Sequence, residues 1–391
     1  MSLIVQKYGG SSLASPRHIQ LAADRIKALR NSGSQVVVVV SAMGHTTDHL
    51  LKLAAKTVKT PPSRELDMLL TAGERVSMSL LAMSLQERLV PAISFTGSQS
   101  GIITSSDHSR AKILEIRPQR IQEELQKGKV VIIAGFQGVS REKEITTLGR
   151  GGSDTTAVAL AASLKASRCD ILTDVEGIFS ADPRVVPSAK PFEFLSYDEC
   201  LELASLGAKM QPRSIELAKK FSVPLWIGSS RSLMGSGTAI GPRKEESTKM
   251  ESALIKGVVT QEGYHFFSTG QKLGAIITWF KDSGVALRFF SLSPGRIGFL
   301  CEEESASAVR DFLKSCDPKF LEVEKVALVS VVGEGVSNSK DILPQCLNVL
   351  EALESEALLI TSNSLSLTIA VPRERKAELA QSLHCQLIEK A

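Results

Sequence analysis

A run of five valines at residues 36–40 constrains the fold of this chain more than any other stretch. Valine is branched at Cβ and favours extended backbone, so the run predicts a β-strand. Because no polar residue interrupts it, both faces of the strand are expected to be buried, as in parallel sheets covered by helices. Residues 130–134, VVIIA, repeat the pattern. The sequence therefore predicts an α/β fold with a mainly parallel central sheet.

Helical patterns alternate with strand patterns as far as residue 227, which is typical of βαβ units. Strands are predicted over residues 3–5, 36–40, 92–96, 130–134, 169–173 and 223–227. Helices are predicted over residues 16–33, 66–86, 113–127, 155–164, 197–205 and 212–220, with a further helix from about Thr47. We assign residues 1–234 to one α/β domain and the polar, glycine-containing residues 235–252 to a linker.

The remaining residues contain an internal repeat with an offset of 70 positions. The matched apolar pairs are Leu273 with Leu343, Ile277 with Leu347, Phe280 with Leu350, Phe289 with Leu359, Phe290 with Ile360, Ile297 with Leu367, Phe299 with Ile369, and Leu313 with Leu383. Each copy reads strand–helix–strand–strand–helix, which predicts two small α+β modules over residues 253–324 and 325–391. Modules of this size expose a sheet edge or face, so we expect them to pair with each other or with a second subunit.

Composition and charge exclude several function classes. The net charge is only +4 and no basic cluster stands out, which argues against nucleic acid binding. No apolar run is long enough to cross a bilayer, so no membrane association is expected. Six scattered cysteines and the lack of a signal-peptide pattern favour a reducing, cytoplasmic location. His45 and His49 have metal-ligand spacing but no third ligand nearby, so no protein metal site is expected.

Residues 149–154, GRGGSD, are the strongest candidate for an anion-binding loop. Three glycines let backbone amides approach a phosphate or carboxylate, Arg150 adds a fork of donors, and Asp154 precedes a predicted helix. Lys7 follows the first strand beside two glycines and two serines, where its ammonium group can reach a phosphoryl group. These loops predict phosphoryl transfer, which depends mainly on positioning and positive charge. The P-loop, the dinucleotide-binding fingerprint and the protein-kinase motifs are absent from the sequence.

Several motifs occur in the order seen in aspartate kinases, and the chain resembles that family over nearly its whole length. The motifs are KYGGSS at 7–12, SAMG at 41–44, GE at 73–74, GRGGSD at 149–154, TDVEGI at 173–178, DPR at 182–184 and GAK at 207–209. The C-terminal repeat resembles the paired ACT modules of the monofunctional members. The resemblance implies an amino acid kinase (carbamate kinase-like) three-layer sandwich, followed by two α+β ferredoxin-like ACT domains.

The resemblance also implies roles for individual residues. Lys7 and Lys209 would neutralise charge on ATP and on the phosphoryl group in flight, and Asp154 would orient the lysines or the magnesium-bound phosphates. ATP contacts are implied for Lys7, Gly9, Gly10, Ser12, Thr173, Asp174, Phe179, Arg184 and Lys209. Contacts with aspartate are implied for Ser41, Thr47, Glu74, Arg150, Gly152 and Ser153. Arg150 would hold the α-carboxylate and Glu74 would lie near the ammonium group, so each substrate charge meets its opposite.

The implied reaction converts ATP and L-aspartate to ADP and 4-phospho-L-aspartate, with Mg²⁺ carried mainly by the nucleotide phosphates. It would be the first step of lysine (diaminopimelate), threonine and methionine biosynthesis. The nucleophilic carboxylate is ionised at neutral pH, so no general base is required. Two alternatives stay open: an enzyme of the same fold acting on glutamate or acetylglutamate, and a non-catalytic amino-acid sensor. The ACT pair implies a homodimer or a dimer of dimers.

The sequence departs from the family pattern at several positions. Phe179 stands where a tyrosine often contacts the nucleotide, and MQPR at residues 210–213 replaces the usual Val-Leu-His-Pro. In the first ACT-like module, Arg288 lies where lysine-sensitive relatives carry an acidic residue, and it would repel a lysine effector. Feedback regulation by lysine or threonine is therefore a hypothesis with its ligand open.

Overall fold

The computed structural model describes residues 2–208, 210–231, 237–243 and 254–390. The chain divides into two compact units. The first holds residues 1–178, 191–201 and 209–245, and the second holds residues 179–190, 202–208 and 246–391. This division differs from the expected boundary at residue 234, because two short segments before that residue are assigned to the second unit and the first unit continues to residue 245.

The first unit alternates strands and helices. Its strands are β1 (Leu3–Tyr8), β2 (Gln35–Val40), β3 (Ala92–Phe95), β4 (Ile102–Thr104), β5 (Ile113–Ile116), β6 (Val130–Ala134), β7 (Gln137–Ser140), β8 (Ile145–Thr147), β9 (Arg168–Thr173), β10 (Phe194–Ser196), β11 (Leu225–Ser229) and β12 (Gly237–Gly241). Its helices are α1 (Pro16–Asn31), α2 (Thr46–Thr57), α3 (Ser63–Leu70), α4 (Ala72–Glu87), α5 (Gln119–Gln126), α6 (Gly152–Ser163), α7 (Tyr197–Ser205) and α8 (Pro212–Phe221). The last residues of α7 are assigned to the second unit.

The central sheet of the described chain has eight strands, in the order β10-β12-β11-β9-β1-β2-β6-β3. All neighbouring strands run parallel except β11 and β12, which confirms the predicted mainly parallel sheet. A smaller sheet has the order β5-β4-β7-β8. In β2, Val36, Val38 and Val40 pack with apolar residues of α1 and α4, while α6 contacts β1, β2 and β9. Helices on both faces of the sheet give the expected three-layer sandwich.

Three predicted segments differ from the structure. Residues 113–127, predicted as one helix, form β5 and then α5, with Pro118 at the start of the helix. Residues 66–86 form two helices that meet at Thr71, whose carbonyl accepts a hydrogen bond from the side chain of Gln137. The expected linker contains β12, in which Gly237 lies under the indole of Trp226. A Cβ on Gly237 would lie 2.4 Å from that ring, so this glycine provides packing space.

The second unit contains the repeat. Its elements are β13 (Leu254–Thr269), α9 (Leu273–Ser283), β14 (Arg288–Ser293), β15 (Arg296–Glu302), α10 (Ala306–Cys316), β16 (Leu321–Glu334), α11 (Ile342–Ala352), β17 (Leu359–Ser362), β18 (Ser366–Pro372), α12 (Lys376–His384) and a π-helix (Cys385–Glu389). The six strands form one sheet in the order β14-β15-β13-β16-β18-β17. The element order strand–helix–strand–strand–helix therefore occurs twice, which confirms the predicted repeat.

The repeat offset also matches in three dimensions. β18 begins and ends 70 residues after β15. Phe299 in β15 and the equivalent Ile369 in β18 are both fully buried. Exposed positions match as well, since Ile277 on α9 is 50% exposed and Leu347 on α11 is 44% exposed. None of the helices described is both long enough and apolar enough to span a membrane.

Candidate active site

The carboxyl ends of three adjacent strands define the candidate site. β1 pairs with β9 on one side and β2 on the other, so the loops that follow these strands meet at one edge of the sheet. The loop after β1 touches the loop after β2, because Gly44 donates a backbone hydrogen bond to Gly10 at 3.0 Å. A Cβ on Gly10 would lie 3.0 Å from the carbonyl oxygen of Ala42. Only glycine permits this close approach without displacement of the neighbouring backbone.

A nearly buried ion pair joins β1 to α6. The Nζ atom of Lys7 lies 2.7 Å from Oδ1 of Asp154, and the two side chains are 11% and 13% exposed. A Cβ on Gly9 would lie 3.5 Å from the Lys7 ammonium, so the glycine leaves the approach to that group open. Ser12 donates from Oγ to the carbonyl of Leu172 at 3.4 Å, which ties this loop to the end of β9.

The glycine loop at residues 149–151 leads into α6. Gly149 and Gly151 have φ of +75° and +70°, left-handed values that favour glycine. Gly152, Ser153 and Asp154 form the first turn of α6, where backbone amides lack intrahelical partners and the helix dipole favours an anion. Arg150 is exposed, and within the described part of the chain it pairs with no acidic side chain. The loop therefore offers amides and a guanidinium group to an anionic ligand.

Glu74 is a buried carboxylate next to the loop after β2. It lies in the first turn of α4 and is 3% exposed. Its Oε1 accepts a hydrogen bond from the amide of Ala42 at 3.1 Å, and its Oε2 is buried with no hydrogen-bond partner in the described structure. Burial raises the pKa of Glu74 to about 7. A buried, unpartnered carboxylate oxygen is a group that a cationic ligand would stabilise.

The other predicted site residues lie after β2, at the end of β9, or in the second unit. Ser41 and Thr47 are half-buried in and after the loop that follows β2, and Thr173 ends β9, where its hydroxyl accepts from the amide of Val175. Asp174 follows it and is exposed. Phe179 and Arg184 belong to the second unit.

Arg184, one of the predicted nucleotide contacts, has an acidic partner two residues away in the chain. The guanidinium group of Arg184 donates to both carboxylate oxygens of Asp182, to Oδ1 at 3.0 Å and to Oδ2 at 2.6 Å. Its predicted nucleotide contact would therefore have to compete with this ion pair. Lys209, predicted as catalytic, lies outside the described residues.

Two charged residues beside the glycine loop were missed by sequence reasoning. Asp67 is fully buried, and Arg213 donates to the carbonyl of Leu148, immediately before the loop. An acidic residue on the apolar face of a predicted helix was the available signal for Asp67. For Arg213 the signal was its place in the segment 210–213 that departs from the family pattern.

Comparisons with known proteins agree with this geometry. The model of the amino acid kinase family matches residues 2–229. The aspartokinase of Corynebacterium glutamicum is 40% identical, over 99% of this chain and 96% of its own length. Two crystal structures of E. coli aspartokinase III each superpose with a TM-score of 0.81, one in complex with aspartate and ADP and the other with lysine and aspartate.

These two structures are 24% and 23% identical to the chain, cover 98% and 99% of it, and are themselves covered over 99%. At that identity they show a shared fold across both units. The family assignment rests on the family match over more than half of the chain and on the full-length relative at 40% identity. The chain belongs to the amino acid kinase family and, within it, to the aspartokinases.

Proposed function

We propose that ATP and L-aspartate react at the carboxyl ends of β1, β2 and β9, beside the Lys7–Asp154 ion pair. The observation that carries this proposal is the position of the pair, which is nearly buried and joins the end of β1 to the first turn of α6. An ammonium group shielded from water stabilises transferring phosphoryl charge more strongly than an exposed one. Asp154 keeps Lys7 in place before the nucleotide arrives.

In the proposed reaction a side-chain carboxylate oxygen of aspartate attacks the γ-phosphorus of ATP. A new O–P bond forms, the bond to the β,γ-bridging oxygen breaks, and its electron pair leaves with ADP. The attacking carboxylate is ionised at neutral pH, so no proton has to be removed. Lys7 neutralises charge on the phosphoryl oxygens. Mg²⁺ bound to the phosphates would supply further positive charge. Carboxylates are common Mg²⁺ ligands, so Asp154 could help to hold this ion.

We assign the aspartate side of the site to the glycine loop and Glu74. Arg150 is free to form a bidentate pair with the α-carboxylate, and Gly152 and Ser153 follow it in the first turn of α6. The amide of Gly152 donates to the carbonyl of Gly149 at 3.0 Å, so the amide of Ser153 is the donor that we assign to the substrate. The unpartnered Oε2 of Glu74 would accept a hydrogen bond from the substrate ammonium group. Ser41 and Thr47 would complete this side with hydroxyl groups.

We assign the nucleotide side to the loops after β1 and β9. Gly9, Gly10 and Ser12 would line the path of the phosphates, and Thr173 and Asp174 would hold the nucleoside. The proposed contacts of Phe179, Arg184 and Lys209 rest on the sequence resemblance. Lys209 would be the second lysine at the phosphates.

The proposed reaction and the role of Lys7 can be tested in one experiment. ADP release is measured with Mg-ATP and L-aspartate, L-glutamate or N-acetylglutamate, for the wild type, Lys7→Met and the surface control Lys127→Met. We expect turnover with L-aspartate alone, a loss of roughly 10²–10³-fold in kcat for K7M and no change for K127M. Turnover of K7M at the wild-type rate would refute the role of Lys7. Turnover with glutamate or acetylglutamate would refute the proposed substrate.

We also propose that the second unit regulates and assembles the enzyme. One E. coli structure contains lysine together with aspartate, which supports an amino-acid effector such as lysine or threonine. Ile277 and Leu347 are exposed at matching repeat positions, which supports a homodimer or a dimer of dimers. The six cysteines are free thiols, which supports a cytoplasmic location. If lysine and threonine change neither activity nor melting temperature, the repeat has a structural role only.

A further inference from the structure

A buried carboxylate, Asp67, and a half-buried guanidinium group, Arg213, hold the base of the glycine loop. The segments 109–111 and 147–149 run side by side, and the amide of Ala111 donates to the carbonyl of Thr147 at 2.9 Å. Asp67, on α3, accepts hydrogen bonds from the amides of Ser109 and Thr147, both at 3.1 Å. It also accepts from the Thr147 hydroxyl at 2.6 Å. The carboxylate therefore uses donors from both segments, and it is fully buried.

Arg213, at the start of α8, holds the same two segments through their acceptors. Its Nη1 donates to the carbonyl of Leu148 at 2.9 Å, and its Nη2 donates to the carbonyl of Ala111 at 3.0 Å. The neighbouring Gln211 covers the loop itself, since a Cβ on Gly151 would lie 2.1 Å from its Cγ. The segment that departs from the family pattern is thus packed against the glycine loop.

Asp67 and Arg213 together leave little freedom at the entrance to the loop. The carboxylate can only accept and the guanidinium group can only donate, so the two side chains cannot exchange partners. Hydrogen bonds to charged groups are stronger than those between neutral groups. The Asp67 carboxylate also accepts from the side chain of His108, whose Nδ1 lies 2.8 Å from Oδ2. Residues 149–151 contain two glycines, whose backbone is otherwise the most flexible in a chain. Arg150 lies between those glycines, immediately after the restrained residues.

We propose that Asp67 and Arg213 are positioning residues that set the affinity for L-aspartate by fixing the loop that carries Arg150. Neither residue is assigned a contact with substrate. Both act through the backbone at Thr147 and Leu148. A displacement of about 1 Å at a group that orients substrate can lower activity by roughly 10²-fold, so a small relaxation of the loop is sufficient. This inference rests on the proposed role of Arg150.

The test compares Arg213→Met with Arg213→Lys and with the control Arg88→Met. Arg88 also donates to a backbone carbonyl, that of Ser84, but it lies at the end of α4 and pairs with Asp24. For R213M we expect the KM for aspartate to rise at least tenfold while the KM for ATP changes less than twofold. Calorimetric titration with L-aspartate should show the same loss of affinity. R213K can reach only one of the two carbonyls and should recover part of the affinity, and R88M should leave both KM values unchanged.

A milder variant tests the hydrogen bonds that Asp67 accepts. Thr147→Val removes the hydroxyl that donates to Asp67 and keeps the shape of the side chain, so it tests the restraint where a substitution of Asp67 itself could prevent folding. We expect T147V to raise the KM for aspartate selectively, by about threefold to tenfold. If R213M and T147V lower the melting temperature or kcat while the KM for aspartate stays at the wild-type value, both residues are structural and the inference is wrong.

Arg150→Met separates this inference from the proposed site. If R150M leaves the KM for aspartate unchanged, the assignment of Arg150 to the substrate carboxylate is wrong, and the positioning role falls with it. If R150M raises that KM and R213M does not, the site assignment stands and the positioning role is refuted. A rise for both variants, with the double variant R150M/R213M no worse than R150M, supports action through Arg150.

Discussion

Replacing Glu74 by glutamine should change the pH dependence of stability. Burial raises the pKa of Glu74 from 4.5 to about 7 in the folded protein. Between these two pH values the folded chain keeps a proton that the unfolded chain has lost, so Glu74 lowers stability as the pH rises through this window. At ~1.4 kcal/mol per pKa unit, the full difference is roughly 3 kcal/mol. Glutamine has no charge to bury, so E74Q should be more stable than the wild type by up to that amount at about pH 8.

Urea denaturation of the substrate-free enzyme at about pH 5 and pH 8 measures this effect. The difference in midpoint between E74Q and the wild type should be large and positive at the higher pH, and close to zero at the lower. Glu124→Gln is the matched control, since Lys127 and Lys129 lower the pKa of Glu124 to about 2. Its stabilising contribution is lost only below pH 4.5, so E124Q should differ from the wild type equally at both pH values. A difference for E74Q that does not change with pH would refute the reasoning.

The same group predicts a pH dependence of substrate binding. Only ionised Glu74 can pair with the substrate ammonium group, so the KM for aspartate should fall as the pH rises through about 7. E74Q should have a higher KM with no such dependence. A wild-type KM that is constant from about pH 6 to pH 8 would argue against a role for Glu74 at the ammonium group.

Three further predictions concern other parts of the molecule. Gly151→Ala forces a side chain into left-handed backbone and against Gln211, so both melting temperature and affinity for aspartate should fall; unchanged values would show that the loop tolerates a Cβ. Leu383→Ala removes a fully buried side chain and should lower unfolding free energy by about 2–5 kcal/mol, whereas Leu53→Ala at an exposed position should change it by less than about 1 kcal/mol. Ile277→Glu should shift the mass measured by light scattering to a smaller species, and an unchanged mass would place the subunit interface elsewhere.

The parts of the fold that were predicted are those in which local sequence determines burial. The valines of β2 and the run of β6 are apolar on both faces and rich in β-branched residues, a pattern typical of strands in a sheet covered by helices on both sides. Residues 113–116 were misassigned because they carry mixed polarity and become a strand only by pairing with β4. The glycines in residues 237–241 predict a flexible linker when the segment is considered by itself. On the neighbouring strand β11, the ring of Trp226 and the carbonyl of Ile227 leave no room for a Cβ at residue 237.

The same distinction applies to the candidate site. Lys7 lies near the end of β1, Arg150 in the glycine loop and Asp154 in the first turn of α6. Each belongs to a short sequence motif that can be recognised without the folded structure. Asp67 and Arg213 do not, because their partners lie 80 and 65 residues away in the chain. A long-range contact between a side chain and backbone groups leaves no periodic trace in one sequence. Such positioning residues become visible only when the chain is folded.

The joint between the two repeats has a consequence for how the second unit can be divided. β13 and β16 pair antiparallel from Leu254 with Glu334 to Ser268 with Leu321, and together they form the middle of the six-stranded sheet. A fragment that ends after α10 would leave the long inner edge of β13 without hydrogen-bond partners, and bare edges of this length promote self-association. One module therefore cannot be replaced independently of the other. A chimaera that exchanges a single module must keep a strand edge that pairs with β13 or β16 of the remaining module.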